Sequence, residues 1–94
     1  MILTFGDKET ERIYKGIVSL KLPFDIQNIA RRKLRMINSS QHVEDLKAPT
    51  GNRLEKLNGS HEAYHSIRIN NRWRIIFIWE DNLAKDVKII DYHD

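Results

Sequence analysis

The spacing of apolar residues divides this chain into a helical first half and a strand-rich second half. Residues 1–5, MILTF, read as a short first strand. Asp7 is placed to cap a helix that runs to about Lys15 and ends at Gly16. Pro23 marks a second start, and Asp25 leads into Ile26, Ile29, Ala30, Lys33, Leu34 and Ile37. That stripe predicts an amphipathic helix, broken on its apolar face only at Lys33 and ended by Asn38-Ser39-Ser40. Residues 43–46 read as one further helical turn before a loop over residues 48–52. Strands are expected near residues 53–57, 64–69, 73–79 and 87–92, where apolar residues mix with charged ones between short polar breaks.

Turn chemistry sets the register of the central hairpin. A two-residue loop at Asn70-Asn71 would pair Ile69 with Arg72 and mix apolar with charged residues on one face. A three-residue loop, Asn70-Asn71-Arg72 with an Asn in the left-handed region, pairs Ile69 with Trp73 and Ile67 with Ile75. The longer loop makes the pattern consistent across three strands. The buried face then holds Ile67, Ile69, Trp73, Ile75, Phe77, Trp79, Val87 and Ile89. The opposite face gathers Tyr64, Ser66, Arg68, Arg74, Lys88 and Tyr92, with Ile76, Ile78 and Ile90 among them, so part of it is expected to be covered.

Composition narrows the setting. Ninety-four residues make one small α+β domain, able to bury roughly 60–65% of its unfolded surface. No stretch reaches the ~18 apolar residues of a membrane span, and charge arrives too early for a signal peptide. The absence of cysteine excludes thiolate and disulfide chemistry and suits a cytoplasmic protein. A net charge of +3 is mild, so the placement of the cations matters more than their sum.

Two groups of cations stand out. Arg31, Arg32, Lys33 and Arg35 crowd the second helix, where a solvated face competes with a phosphate-binding one. Arg68 and Arg74 lie opposite one another in the predicted register, an arrangement that costs stability unless an anion or a carboxylate such as Glu55 or Asp91 lies close. His61 and His65 are four apart, but on an extended chain that separation is roughly 13 Å, which argues against a metal site. The chain has neither a glycine-rich phosphate loop nor a nucleophile elbow. Asp91, Tyr92 and His93 close the last strand with an acid, a phenol and an imidazole, groups able to move protons beside the cations.

The runs GNRLEKLNG at residues 51–59, YHSIRINNRWRIIFIW at residues 64–79 and VKIIDYH at residues 87–93 resemble the HigB, or plasmid-maintenance killer, branch of the RelE/ParE toxin superfamily. The resemblance covers nearly the whole chain. It implies two N-terminal helices packed on a small antiparallel sheet, and a ribosome-dependent mRNA endonuclease acting as the toxin of a type II toxin–antitoxin pair. It also implies a HigA-like helix-turn-helix antitoxin as partner, the ribosomal A site and mRNA as targets, and contact with operator DNA only through the antitoxin complex. No cofactor, metal or membrane is implied. The family's sheet arginine falls on Arg74, and its C-terminal acid, aromatic and histidine fall on Asp91, Tyr92 and His93. Some members carry a histidine where this chain has Glu55, and a lysine where it has Asn58, so a histidine relay through that strand does not carry over.

On this resemblance Arg74 stabilises the phosphorane and His93 is the first choice for proton transfer, with Asp91 as alternative base or as the group that orients it; Glu55, where the chain departs from the family pattern, is a candidate acid or base. Tyr92 stacks on a base or donates to phosphate. Arg31, Arg32, Lys33, Arg35, Arg68, Arg72 and Lys88 are the cations available for RNA or ribosome contact. Two other readings compete: a ParE-like inhibitor that shares the fold and binds DNA gyrase, and a non-catalytic RNA-binding module that the basic helix and basic sheet face would also explain.

Overall fold

In the computed structural model, which describes residues 1–92, Asp7 opens the first helix as its position predicts. Its carboxylate accepts the Thr10 backbone N–H at 2.7 Å, and α1 spans Lys8–Tyr14 before Gly16 turns the chain at φ 86°. The second helix, α2, covers Phe24–Ser39. Pro23 offers no side-chain cap there. The entry is instead fixed by buried Gln27, which accepts the Ser19 N–H at 3.0 Å and donates to the carbonyls of Ser19 (2.8 Å) and Leu22 (3.0 Å). No helix among the described residues is long and apolar enough to cross a membrane.

Four strands follow in the order β1 (Glu55–Lys56), β2 (His65–Arg68), β3 (Trp73–Glu80) and β4 (Leu83–Asp91), each antiparallel to its neighbour. The β2–β3 register is the one the three-residue loop predicts, with Ile67 opposite Ile75 and Arg68 opposite Arg74. The loop itself closes differently from expectation. Neither Asn70 nor Asn71 has positive φ; the Asn70 side chain instead accepts the N–H groups of Arg72 and Trp73, both at 2.8 Å. An Asx turn thus replaces the left-handed residue.

β4 starts earlier than the sequence suggests, because Asp81 and Asn82 both take positive φ (56° and 61°) and make a tight hairpin. The register then shifts between Ile76 and Ile78, and Asp86 sits at φ 52° in the extra position of a β-bulge. The bulge changes the parity of β4, so that Ala84 and the odd-numbered Val87 and Ile89 all reach the same core. It also corrects the expected first strand. Residues 1–5 follow the outer edge of β4 only as two isolated parallel bridges, Ile2 to Ala84 and Phe5 to Val87, since the bulge interrupts any continuous ladder. Thr4 Oγ1 accepts the Asp86 N–H freed there, at 2.8 Å.

The core lies between the helices and one sheet face: Ile13, Ile26, Ala30, Leu34 and Ile37 meet Ile67, Ile69, Ile75, Phe77, Val87 and Ile89. Trp73 and Trp79 are only half-buried at its margins. On the opposite face Ile76 and Ser66 are fully buried, so that face is partly covered, as its isoleucines predict.

Candidate functional site: an arginine-lined cleft

The pairing of Arg68 with Arg74 sets two like charges on the sheet face away from the helices. Their side chains diverge. Arg74 Nη1 lies 2.9 Å from Glu55 Oε1 and donates to Ser66 Oγ at 2.9 Å, and the guanidinium carbon sits 5.1 Å from the centre of the Tyr92 ring. Its side chain is only 12% exposed. Glu55 is brought there by the register of β1, where it stands opposite Ser66. Arg68 turns outward and donates to Asn71 Oδ1. Between them opens a cleft of about 270 Å³ lined by Arg53, Arg68, Asn70, Asn71, Arg74 and Tyr92. Its polar lining, with three guanidiniums and one offsetting carboxylate at Arg74, favours an anion.

Tyr92 reaches the cleft because its N–H continues the β4 pairing to the Arg72 carbonyl at 2.7 Å, leaving the ring on the Arg74 side. Asp91 is not brought there. It stands opposite Trp73, whose ring packs on the helix-side core, so alternation sets Asp91 on the other face of the sheet. Its carboxylate takes a bidentate contact from Arg72, at 2.8 Å from Nε and 2.6 Å from Nη2. The expected grouping of Asp91 with Arg74 therefore fails on strand parity. Arg72, expected as an RNA contact, is engaged in this pair and also lies 5.8 Å over Trp73. His93, the proposed proton-transfer group, lies outside the described residues.

The cations of α2 separate into three environments. Arg32 and Arg35 are exposed. Arg31 Nε is bound to the Ile13 carbonyl at 2.7 Å and joins the two helices. Lys33 corrects the expectation of a phosphate contact: it is 8% exposed, with Nζ 2.9 Å from Asn52 Oδ1 and 2.7 Å from the Arg68 carbonyl. Burial, then the charges of Arg32 and Arg68, push its pKa down. Lys88 lies 5.2 Å over the Tyr64 ring and 3.5 Å from Asp86, which also accepts the Tyr64 hydroxyl. That hydrogen bond, helped by burial, pushes the Tyr64 phenol up and disqualifies it as a base at neutral pH.

His65 stacks on Phe77 at 6.0 Å, and its Nδ1 is buried without a hydrogen-bond partner. Burial first, then Lys56, lowers its pKa. His61 meets the Tyr64 ring instead, 6.0 Å away, and no group of metal-binding side chains occurs among the described residues.

Among the lining residues, the sequence pointed neither to Asn70 and Asn71, expected only in the hairpin loop, nor to Arg53. It was expected inside a strand over residues 53–57, but a 3-10 turn at Thr50–Asn52 ends on it with φ 46°, and β1 shortens to two residues. The Thr50-Gly51-Asn52 turn immediately before it was the available signal.

The family model for the RelE-like toxin of the type II toxin–antitoxin system HigB matches residues 3–93. Toxin HigB-1 of Vibrio cholerae is 40% identical over 85 residues, covering 89% of this chain and 90% of that one. An uncharacterized protein of Haemophilus influenzae is 35% identical over 79 residues, covering 83% of this chain and 78% of its own. Among solved structures, the YoeB–YefM complex of Staphylococcus aureus matches with a TM-score of 0.61 at 19% identity, over 100% of this chain and 99% of the other. YafQ of E. coli matches with a TM-score of 0.57 at 14% identity, over 97% and 93%. These two show the fold, in which a pair of helices packs on a four-stranded antiparallel sheet. With the family match spanning nearly its whole length, the chain belongs to the HigB family of RelE-like toxins of type II toxin–antitoxin systems.

Proposed function

We propose that the protein is a metal-independent endoribonuclease that cleaves mRNA on the ribosome and so blocks translation. The observation that carries this reading is Arg74, a largely buried guanidinium at the floor of a cationic cleft, held by Glu55 and Ser66 and stacked on Tyr92. Attack of a 2′-OH on its own 3′-phosphate forms the O2′–P bond, breaks the bond from phosphorus to the 5′-oxygen, and leaves a 2′,3′-cyclic phosphate. One proton leaves the 2′-OH and one reaches the departing 5′-oxygen. Arg74 offers a permanently charged, planar pair of donors to the phosphorane oxygens. Tyr92 supplies a face on which a base can stack. Glu55, paired with Arg74, is assigned the alternative role of base for the 2′-OH. His93 is assigned the proton transfer on the family resemblance alone. A site this small gains its substrate positioning from the ribosomal A site, where proximity supplies much of the barrier reduction.

The partner in this reading is a HigA-like helix-turn-helix antitoxin whose complex with the toxin represses their operon. The related fold in YoeB is recorded in complex with YefM, which supports an antitoxin partner of some kind. A ribosomal substrate places the activity in the cytoplasm. Incubation with ribosomes and a messenger, followed by mapping of 5′ ends, tests the proposal. New ends that depend on translation support it. Intact messenger, together with inhibition of gyrase supercoiling, replaces it with the ParE-like reading.

A further inference from the structure

Lys33 interrupts the apolar stripe of α2, in a place where a leucine or methionine would pack without the cost of desolvating an ammonium. Its two bonds explain the exception. They run to the Asn52 side chain and to the backbone of Arg68, and so tie α2 to the turn over residues 50–52 and to β2. Asn52 is itself fully buried and donates to the carbonyls of Leu46 (3.2 Å) and Ala48 (3.4 Å), so the tie is anchored on the far side as well. The residues on either side of this strut are Arg53, next to Asn52, and Arg68. Both line the cleft beside Arg74. Arg53 is also held in a left-handed conformation that an arginine seldom adopts, which aims its side chain by constraint rather than by preference.

The charges in the cleft do not balance internally. Glu55 faces Arg74, whereas no carboxylate pairs with Arg53 or Arg68 among the described residues. Building on the proposed ribonuclease reading, we infer that the cleft takes two consecutive phosphates of the RNA strand. The scissile phosphate lies on Arg74 and its neighbour lies between Arg53 and Arg68, with Lys33 and Asn52 as positioning residues that set the spacing of that second site. The ligand class is a nucleotide carrying phosphates on both sides of one ribose.

Binding to the free protein, followed by amide chemical shifts, tests this without any cleavage step. The probes are adenosine 3′,5′-bisphosphate and adenosine 3′-monophosphate. The native protein is expected to prefer the bisphosphate by about tenfold, the scale of one added charge-assisted contact at an open site. Arg53→Gln is expected to bring that ratio close to one while leaving monophosphate affinity unchanged, and to flatten the salt dependence of bisphosphate binding. Lys33→Met, which completes the apolar stripe, is expected to lose the same preference with monophosphate affinity retained. A merely structural role would instead weaken both probes together, or neither. Equal affinities in the native protein, or an Arg53→Gln variant that keeps the ratio, overturn the second phosphate site. Arg53 is exposed, so that variant decides the matter however Lys33→Met folds. A folded Lys33→Met that keeps the ratio overturns the positioning role. Failure to cleave on ribosomes with the ratio intact would refute the proposed function and leave the two-phosphate site standing as a binding site without a scissile phosphate.

Discussion

Arg74→Ala separates catalysis from folding more sharply than any other single change. The guanidinium donates to buried Ser66 Oγ, pairs with half-exposed Glu55 and lies over the Tyr92 ring. Truncation leaves the serine hydroxyl without its guanidinium partner, at about 1–3 kcal/mol. The ion pair adds at most about 1 kcal/mol, because Glu55 is open to solvent. Relief of the repulsion across the Arg68–Arg74 pair returns up to about 1 kcal/mol, which offsets the lost contact with the Tyr92 ring, about 0.5–1 kcal/mol. The net loss is therefore about 1–4 kcal/mol out of a typical 5–15, which leaves the protein folded. At about 4–8 °C per kcal/mol for a domain of this size, the melting midpoint should drop by about 5–30 °C. Cleavage should fall much further, by about 10²–10³-fold in single-turnover rate at saturating protein, since a preorganised donor to the phosphorane is gone. Arg74→Lys should recover only part of that loss, because it restores the charge without the planar fork. The assays are a circular dichroism melt and 5′-end mapping on translating ribosomes. A folded Arg74→Ala variant that cleaves at a near-native rate would refute the assignment.

His93→Gln removes a titrating group while keeping a polar side chain, and should lower cleavage by about 10²–10⁴-fold on the same ribosome assay; full activity would transfer proton transfer to Glu55. Replacing exposed Arg32 and Arg35 together by Gln should weaken ribosome binding and flatten its salt dependence, with single-turnover rate at saturation nearly unchanged. Arg31→Gln should act on stability instead, lowering it by about 1 kcal/mol through loss of the bond to the Ile13 carbonyl, as read by denaturant midpoint. His65 has a folded pKa below its unfolded value near 6.5, so the unfolded chain binds the extra proton as pH falls. Its contribution is complete above that value and declines as pH drops through it toward the lower folded pKa; His65→Phe should flatten the stability profile in that window, and an unchanged slope would exclude His65 as its source.

Much of the fold was legible because it rests on local periodicity. The stripe from Ile26 to Ile37 could be buried only as a helix, and alternation from Ile67 through Phe77 left one loop length that kept both faces consistent. Those same rules placed Arg68 opposite Arg74 and set Tyr92 on their face, whereas Glu55 was open to expectation only as a carboxylate able to neutralise the pair and as a departure from the family pattern. Periodicity assumes an uninterrupted strand, however. The bulge at Asp86 broke that assumption, bringing Ala84 into the core and reducing residues 1–5 to two bridges.

The sequence by itself determined which residues could be buried, which face of the sheet carried cations, and, through its motifs, the family. The tertiary structure decided which of those charges line the cleft and which are tied to protein groups. Lys33 and Arg35 are both basic residues of one helix, yet one is buried on Asn52 and the other is solvated. Asp91 and Tyr92 are adjacent in the chain, yet one pairs with Arg72 and the other stacks on Arg74, because neighbouring residues of a strand point to opposite faces. Arg53 entered the cleft only through a left-handed turn held by buried polar bonds from a distant helix. A charged side chain's role depends on which partner it reaches, and partners far apart in sequence are set by packing, which local pattern does not encode.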